Sequence, residues 1–177
     1  MTESFETIFK KAFQGLTSRG IEVVIIDDSK EKFYGDLDGA SVYIGESLSW
    51  EIKLFTMIHL AAHNYQWARS GRYAEIGSQL FYKPDEELIQ ELLAYEEEAA
   101  SLAISLLHEL GIYHLDKWFT QHSRCDLAYL DHYYHTGEEK QLKDFWKEDV
   151  EPFTEISLPS VQNFRRRVKV QKGVVVY

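Results

Sequence analysis

An apolar, helix-like segment from Phe55 to Trp67 carries two histidines, His59 and His63, four residues apart. On an α-helix, side chains at positions i and i+4 lie one above the other on the same face, so both imidazoles can reach one cation. A catalytic site of this kind also needs a third ligand, an open coordination position and a general base. Leu60 stands where a zinc hydrolase carries its glutamate base. The segment therefore predicts a metal site that lacks its usual base.

The length and charge of the chain limit what it can be. Its 177 residues, 45% of them hydrophobic, suit one sizeable core, so we expect a single domain over 1–177. Acidic residues outnumber basic ones by 29 to 19, and the resulting charge of -10 argues against direct binding of nucleic acid. A lone cysteine, no basic and apolar leader, and no apolar run near about 18 residues predict a cytoplasmic protein without a membrane span.

The first half of the chain alternates helical and extended patterns. Apolar residues at spacings of three and four predict a helix over 3–19. Short β-branched segments from Ile21 to Ile26 and from Ser41 to Ile44, separated by the turn-rich stretch 35–39, predict two or three strands of a small sheet. A helix over about 49–69, capped by Ser47 or Ser49, then carries the histidine pair.

The second half is predicted to be mainly helical. Asp85 is a typical N-cap for a long helix that ends near Gly111. The sequence from Ser123 to Asp126 resembles a capping box for a helix to about Tyr134, and a further helix is expected over 138–147. The alternating tail, 167–177, predicts a terminal strand. We therefore expect a C-terminal extension over 112–177.

Three consecutive glutamates on the second long helix offer a third metal ligand. Glu98 lies beside the apolar face, where a carboxylate is costly to bury without a cation or hydrogen-bond donors, whereas Glu96 and Glu97 suit a solvated face. We predict Glu98 as the ligand. The alternative is that His59 and His63 form hydrogen bonds within the core and hold no metal.

The order of these motifs resembles a known family. Residues 1–110 are similar to the ImmA/IrrE family of zincin-like metallopeptidases. The similarity lies in the order of a helix and strands, the motif Phe-x-x-x-His-x-x-x-His, and a later helix with Glu-x-Glu-Ala-x-x-Leu-Ala. The resemblance implies an α+β, zincin-like core over 1–111, with a small sheet packed on long helices. It also implies a zinc site formed by His59, His63 and Glu98.

Two positions depart from the family pattern. Leu60 replaces the catalytic glutamate of HExxH, and Ala62 replaces the usual glycine. Because leucine cannot accept a proton, peptidase activity by the family's usual mechanism is not expected. Glu91 or Glu97 are the candidates for a substitute base.

Three hypotheses of function follow. The first is a catalytically degenerate family member that holds a zinc ion or an empty metal cleft and acts as a regulatory protein-binding module. The resemblance implies a helix-turn-helix regulator as its partner, in stress or mobile-element regulation. The second is an active zinc metallopeptidase that cleaves such a regulator with a displaced base. The third is a metal-free interaction domain. The basic segment from Arg165 to Lys172 can bind an acidic partner or a nucleic acid strand, but solvent-facing residues of a strand explain it better.

Overall fold

A computed structural model describes residues 3–169 of the chain, which form a mixed α+β fold. The elements in chain order are α1 (Phe5–Ser18), β1 (Glu22–Ile26), β2 (Gly35–Leu37), β3 (Ser41–Gly45), α2 (Trp50–Arg69), α3 (Gly71–Gly77), α4 (Glu86–Glu109), α5 (Asp116–Thr136) and a short 3-10 turn (Leu142–Phe145). None of the helices in this part of the chain is long and apolar enough to cross a membrane.

The small sheet has the strand order β1-β3-β2. Strand β3 runs parallel to β1 and antiparallel to β2, with Val42 opposite both Val23 and Leu37. Strand β2 lies inside the stretch that the sequence predicted as a turn. The turn itself is confined to the residues after it, because the Asp38 carboxylate accepts hydrogen bonds from the backbone N–H groups of Ala40 and Ser41.

The three predicted long segments of the first two-thirds of the chain are helices. Ser4 caps α1, Ser49 caps α2 and Asp85 caps α4, each by accepting a hydrogen bond from a backbone N–H in the first turn. Helix α2 packs against α1, α4 and the sheet, so almost all of its surface is covered. The histidine pair therefore lies on the most buried helix of the molecule.

Two C-terminal helix predictions were wrong. Helix α5 begins at Asp116, well before the predicted capping box, and Ser123 lies buried inside it. The aromatic side chain of Phe119 is completely buried, and its packing explains the earlier start. The segment 138–147 forms only the 3-10 turn, after Gly137 ends α5 in the left-handed conformation with a φ of 70°.

An irregular segment, 150–169, follows and packs along the outside of the core. Phe153 is buried, and the ring of Phe164 meets Tyr65 edge-on at 5.0 Å. Arg166 forms ion pairs with Glu22 at 3.1 Å and with Asp38 at 3.0 Å. The described part of the predicted terminal strand, residues 167–169, is not a strand, and the rest of that prediction lies outside the described residues.

Candidate metal centre

The two histidines lie in the middle of α2 and face the same side. Their rings are nearly perpendicular, with centroids 4.6 Å apart, and the two Nε2 atoms are separated by 3.0 Å. Tyr95 stacks on the ring of His63 at 4.5 Å, and Phe55 stacks on the ring of His59 at 5.7 Å. Aromatic packing thus restrains both imidazoles with their Nε2 atoms directed at one point.

Glu96 of α4 completes a group of three. Its Oε2 atom lies 3.4 Å from His59 Nε2 and 3.3 Å from His63 Nε2. Within residues 3–169, this is the one group of three or more His, Cys, Asp or Glu ligand atoms that lie close enough together to hold a metal ion. The side chains of His63 and Glu96 are 3% and 13% exposed, so the group is largely shielded from solvent.

The spacing of the three atoms suits a tetrahedral ion. Zinc bonds of about 2.0–2.1 Å to nitrogen and oxygen place neighbouring ligand atoms about 3.3 Å apart. The observed separations of 3.0, 3.3 and 3.4 Å form nearly that triangle. Two imidazoles and one carboxylate are also a ligand set that divalent transition metals accept. The residues therefore fit zinc or a similar ion, with one coordination position left over.

A hydrogen-bond network prepares His63 for this role. The amide group of Gln66 donates from Nε2 to the backbone carbonyl of Tyr95 at 2.9 Å and to Glu98 at 2.8 Å. Its Oε1 atom therefore faces His63 and accepts a hydrogen bond from Nδ1 at 2.8 Å. This assigns the proton of neutral His63 to Nδ1 and leaves the lone pair on Nε2, as a metal ligand requires.

His59 lacks such support. Its Nδ1 atom is buried and forms no hydrogen bond with any described residue. An imidazole that binds metal through Nε2 carries a proton on Nδ1, and a buried N–H without an acceptor is unfavourable. The two histidines are thus held in different ways.

The surroundings of Glu96 favour its ionised form. Burial alone would raise its pKa, but the imidazoles of His63 and His59, whose Nε2 atoms lie within 3.4 Å of its carboxylate, outweigh burial and hold the pKa of Glu96 below its usual range. A carboxylate that stays ionised at neutral pH can bind a cation directly. The negative charge of Glu96 therefore favours the binding of a divalent cation at this position.

The structure puts Glu96 in the place that the sequence assigned to Glu98. Glu98 instead forms an ion pair with Arg69 at 2.6 Å and accepts the hydrogen bond from Gln66. Two residues along a helix correspond to a rotation of about 200°, so the two glutamates face opposite directions. Glu98 has the hydrogen-bond donors that a partly buried carboxylate needs, and they come from side chains and not from a metal.

The structure provides no general base at the positions that the sequence indicated. The two substitute candidates, Glu91 and Glu97, form ion pairs with arginines. Glu91 binds Arg72 at 2.8 Å, and Glu97 binds Arg124 at 2.9 Å. Leu60 is 3% exposed and packs against the backbone of β2, where a Cβ atom on Gly35 would lie 2.9 Å from Leu60 Cδ1. The leucine is therefore a packing residue at the edge of the site.

A cleft of about 350 Å³ opens beside His59. Its walls are mostly apolar and aromatic, and they include Tyr34, Leu48, Ile52, Phe55, Leu60 and Leu142. Asp126 of α5 is the acidic residue of this wall, and burial raises its pKa to about 7. His122, also in the wall, has its pKa lowered by burial.

Sequence reasoning missed Glu96, the role of Gln66 and the position of Asp126. A signal for Glu96 was present, because it lies at helical spacing from buried residues on both sides, namely Leu92, Ala99, Ala100 and Ala103. No local pattern places Asp126 near the histidines, since α5 follows them by some fifty residues. Comparisons of the chain with protein-family models, with curated proteins and with solved structures found no match.

Proposed function

We propose that this protein is a zincin-like module of the ImmA/IrrE type that binds one divalent transition-metal ion, zinc in the first instance, and recognises a protein partner without cleaving it. The observation that carries this proposal is the triangle of His59 Nε2, His63 Nε2 and Glu96 Oε2, with sides of 3.0 to 3.4 Å. A bound zinc would supply a Lewis acid that polarises a carbonyl oxygen.

The cleft supports binding of a peptide segment. Its volume of about 350 Å³ is large enough for a few side chains, and its walls are apolar with a small number of polar groups. The cleft reaches His59, so a carbonyl of a bound segment can approach the metal position. A helix-turn-helix regulator as the partner is supported by the family resemblance of the sequence motifs alone.

The absence of cleavage is inferred from Leu60. Hydrolysis at a metal centre needs a group that accepts the proton of the attacking water, and such a group typically contributes about 10² to 10⁴-fold in rate. An aliphatic side chain cannot do this, Glu91 and Glu97 are engaged with arginines, and Asp126 of the cleft wall is not among the three grouped ligands. We therefore assign the site to binding rather than to catalysis.

Metal content of the purified, untagged protein tests the proposal. We expect about one zinc per chain by elemental analysis and native mass spectrometry, none in His63→Ala, and the wild-type amount in His114→Ala. His114 is exposed, which makes it a matched control. A wild-type protein that stays free of metal after zinc is offered would overturn the proposal and leave the metal-free hypothesis.

A separate assay tests for cleavage. The zinc-loaded protein is incubated with a mixed peptide library, and the products are followed by mass spectrometry with and without a chelator. We expect the same peptide pattern in both samples. Cleavage products that disappear with the chelator would show an active peptidase and reject the binding assignment.

A further inference from the structure

Two complementary groups near the metal centre have no hydrogen-bond partner. His59 Nδ1 is buried and unpaired, and the carboxylate of Asp126 forms no hydrogen bond or ion pair with any residue between 3 and 169. Both residues line the same cleft, although they come from different helices, α2 and α5. A partly buried carboxylate without a partner is unfavourable, and a buried imidazole N–H without an acceptor is more so.

We propose that Asp126 positions His59 by accepting a hydrogen bond from Nδ1–H when Nε2 of His59 holds the metal. This inference rests on the metal site of the proposed function. Histidines that bind metals almost always donate their other ring N–H to a carboxylate, a carbonyl or a water, which fixes the tautomer and the ring orientation. Gln66 does this for His63, and Asp126 does it for His59.

The position of Asp126 agrees with this role. Asp126 and His59 line the same cleft, so the two side chains lie in one pocket although α2 and α5 are far apart in the chain. No direct hydrogen bond joins them in this structure. Both residues line the same cleft, so the hydrogen bond requires a rotation of the Asp126 side chain towards His59.

The balance of charge at the site also supports a role for Asp126. A divalent ion held by two neutral imidazoles and the Glu96 carboxylate has a net charge of about +1 at the site. The carboxyl group of Asp126 at the same cleft can offset that charge in a partly buried region, where unbalanced charge is unfavourable. Helix α5 thus becomes a part of the metal centre.

Zinc affinity of the full chain tests the role of Asp126, measured by competition with a chromophoric chelator. We expect Asp126→Leu to weaken binding by about ten- to 100-fold. Asp126→Asn should lose less, because its amide oxygen still accepts the hydrogen bond. The control is Asp131→Leu, which removes an exposed carboxylate of the same helix and should keep the wild-type affinity.

Two further measurements separate a positioning role from a structural one. The melting temperature of the metal-free Asp126→Leu protein should equal or exceed that of the wild type, because the variant loses a partly buried carboxylate that has no partner. In the zinc-loaded wild type, nitrogen NMR should show a proton on His59 Nδ1 that is protected from exchange, and in Asp126→Asn this protection should fall.

The outcomes are distinguishable. Equal zinc affinity in the wild type, Asp126→Asn and Asp126→Leu overturns the role of Asp126 and leaves the metal site intact. An unprotected His59 Nδ1 proton in the loaded wild type does the same, even if Asp126→Leu does not fold. A wild-type chain that binds no zinc overturns the proposed function and this inference together.

Discussion

His63 Nδ1 and Gln66 Oε1 lie 2.8 Å apart, and this hydrogen bond connects the metal-facing imidazole to helix α4 through the Gln66 amide. The amide holds the only orientation in which all its hydrogen-bonding atoms are satisfied. Gln66 is fully buried, so no water can take over its contacts without a change in packing.

Replacement of this glutamine should weaken the site. Gln66→Met keeps a similar volume but removes the acceptor for His63 Nδ1, so we expect zinc affinity to fall by about ten- to 100-fold. The control is Gln90→Met, which removes an exposed amide of α4. Equal zinc affinity in Gln66→Met and the wild type would show that the hydrogen bond does not orient the ligand.

Substitutions of Glu96 and Glu98 should have different effects on zinc binding. Glu96→Gln removes a charged ligand and should abolish stoichiometric zinc binding, whereas Glu98→Gln should keep it, because Glu98 binds Arg69 and Gln66. Zinc content by elemental analysis compares the two isosteric variants directly. Loss of zinc in Glu98→Gln alone would restore the prediction made from the sequence.

Leu60→Glu should destabilise the metal-free protein. The side chain is 3% exposed and packs against Gly35, so a carboxylate there loses solvation, at a cost of about 3 kcal/mol. Thermal unfolding is measured beside Leu60→Gln, which has the same shape without the charge. We expect Leu60→Glu to have the lower melting temperature, and zinc to recover part of the difference. Equal melting temperatures would show that position 60 is open to solvent.

His108 should make the packing of the irregular segment, 150–169, depend on pH. It bonds to Glu155 at 2.7 Å and to Asp116 at 2.9 Å. Burial alone would lower the pKa of His108, but these hydrogen bonds outweigh burial and raise it above its ordinary value of 6.5. Because the pKa is higher in the folded state, the stabilisation is complete below about pH 6.5 and is lost as the pH rises through the folded value.

The test is a comparison of melting temperatures at about pH 6 and pH 9. We expect His108→Gln to be less stable than the wild type at the lower pH and closer to it at the higher pH. His114→Gln, a change at an exposed histidine, should show no such pattern. A stability difference that grows with pH would contradict the assigned direction.

Cys125 should be chemically inert in the folded protein. Its thiol is buried and donates a hydrogen bond to the Leu142 carbonyl at 3.1 Å, and burial raises its pKa to about 11. The thiolate is the reactive form, so alkylation by iodoacetamide near pH 8 should be very slow until denaturant is added. Rapid labelling of the native chain would show that the contact between α5 and the 3-10 turn opens easily.

Local signals predicted the helices that carry the ligands. Asp85 is the N-cap that the sequence indicated for α4, and Ser49 is one of the two caps that it offered for α2. The i, i+4 spacing does bring His59 and His63 together. Each of these features depends on a few consecutive residues, so the sequence contains all that is needed to predict it.

The identity of the third candidate ligand depends on how two helices pack, and not on a few consecutive residues. Whether Glu96 or Glu98 meets the histidines is decided by the rotation of α4 about its axis relative to α2, which the packing of many residues sets. The capping box at Ser123 failed for a similar reason, because the burial of Phe119 outweighs a local preference.

The ion pair between Arg166 and Glu22 bears on the order in which this protein folds. These residues are 144 positions apart in the chain, and Arg166 also reaches Asp38 at the turn before β3. Contacts of such long range are slow to form because closing a long loop costs chain entropy. Ribosomes add about 5–20 residues per second, so β1 and β3 can pair many seconds before Arg166 is synthesised. The contact of Arg166 with Glu22 and Asp38 therefore forms only after the residues of the sheet have long been available to pair.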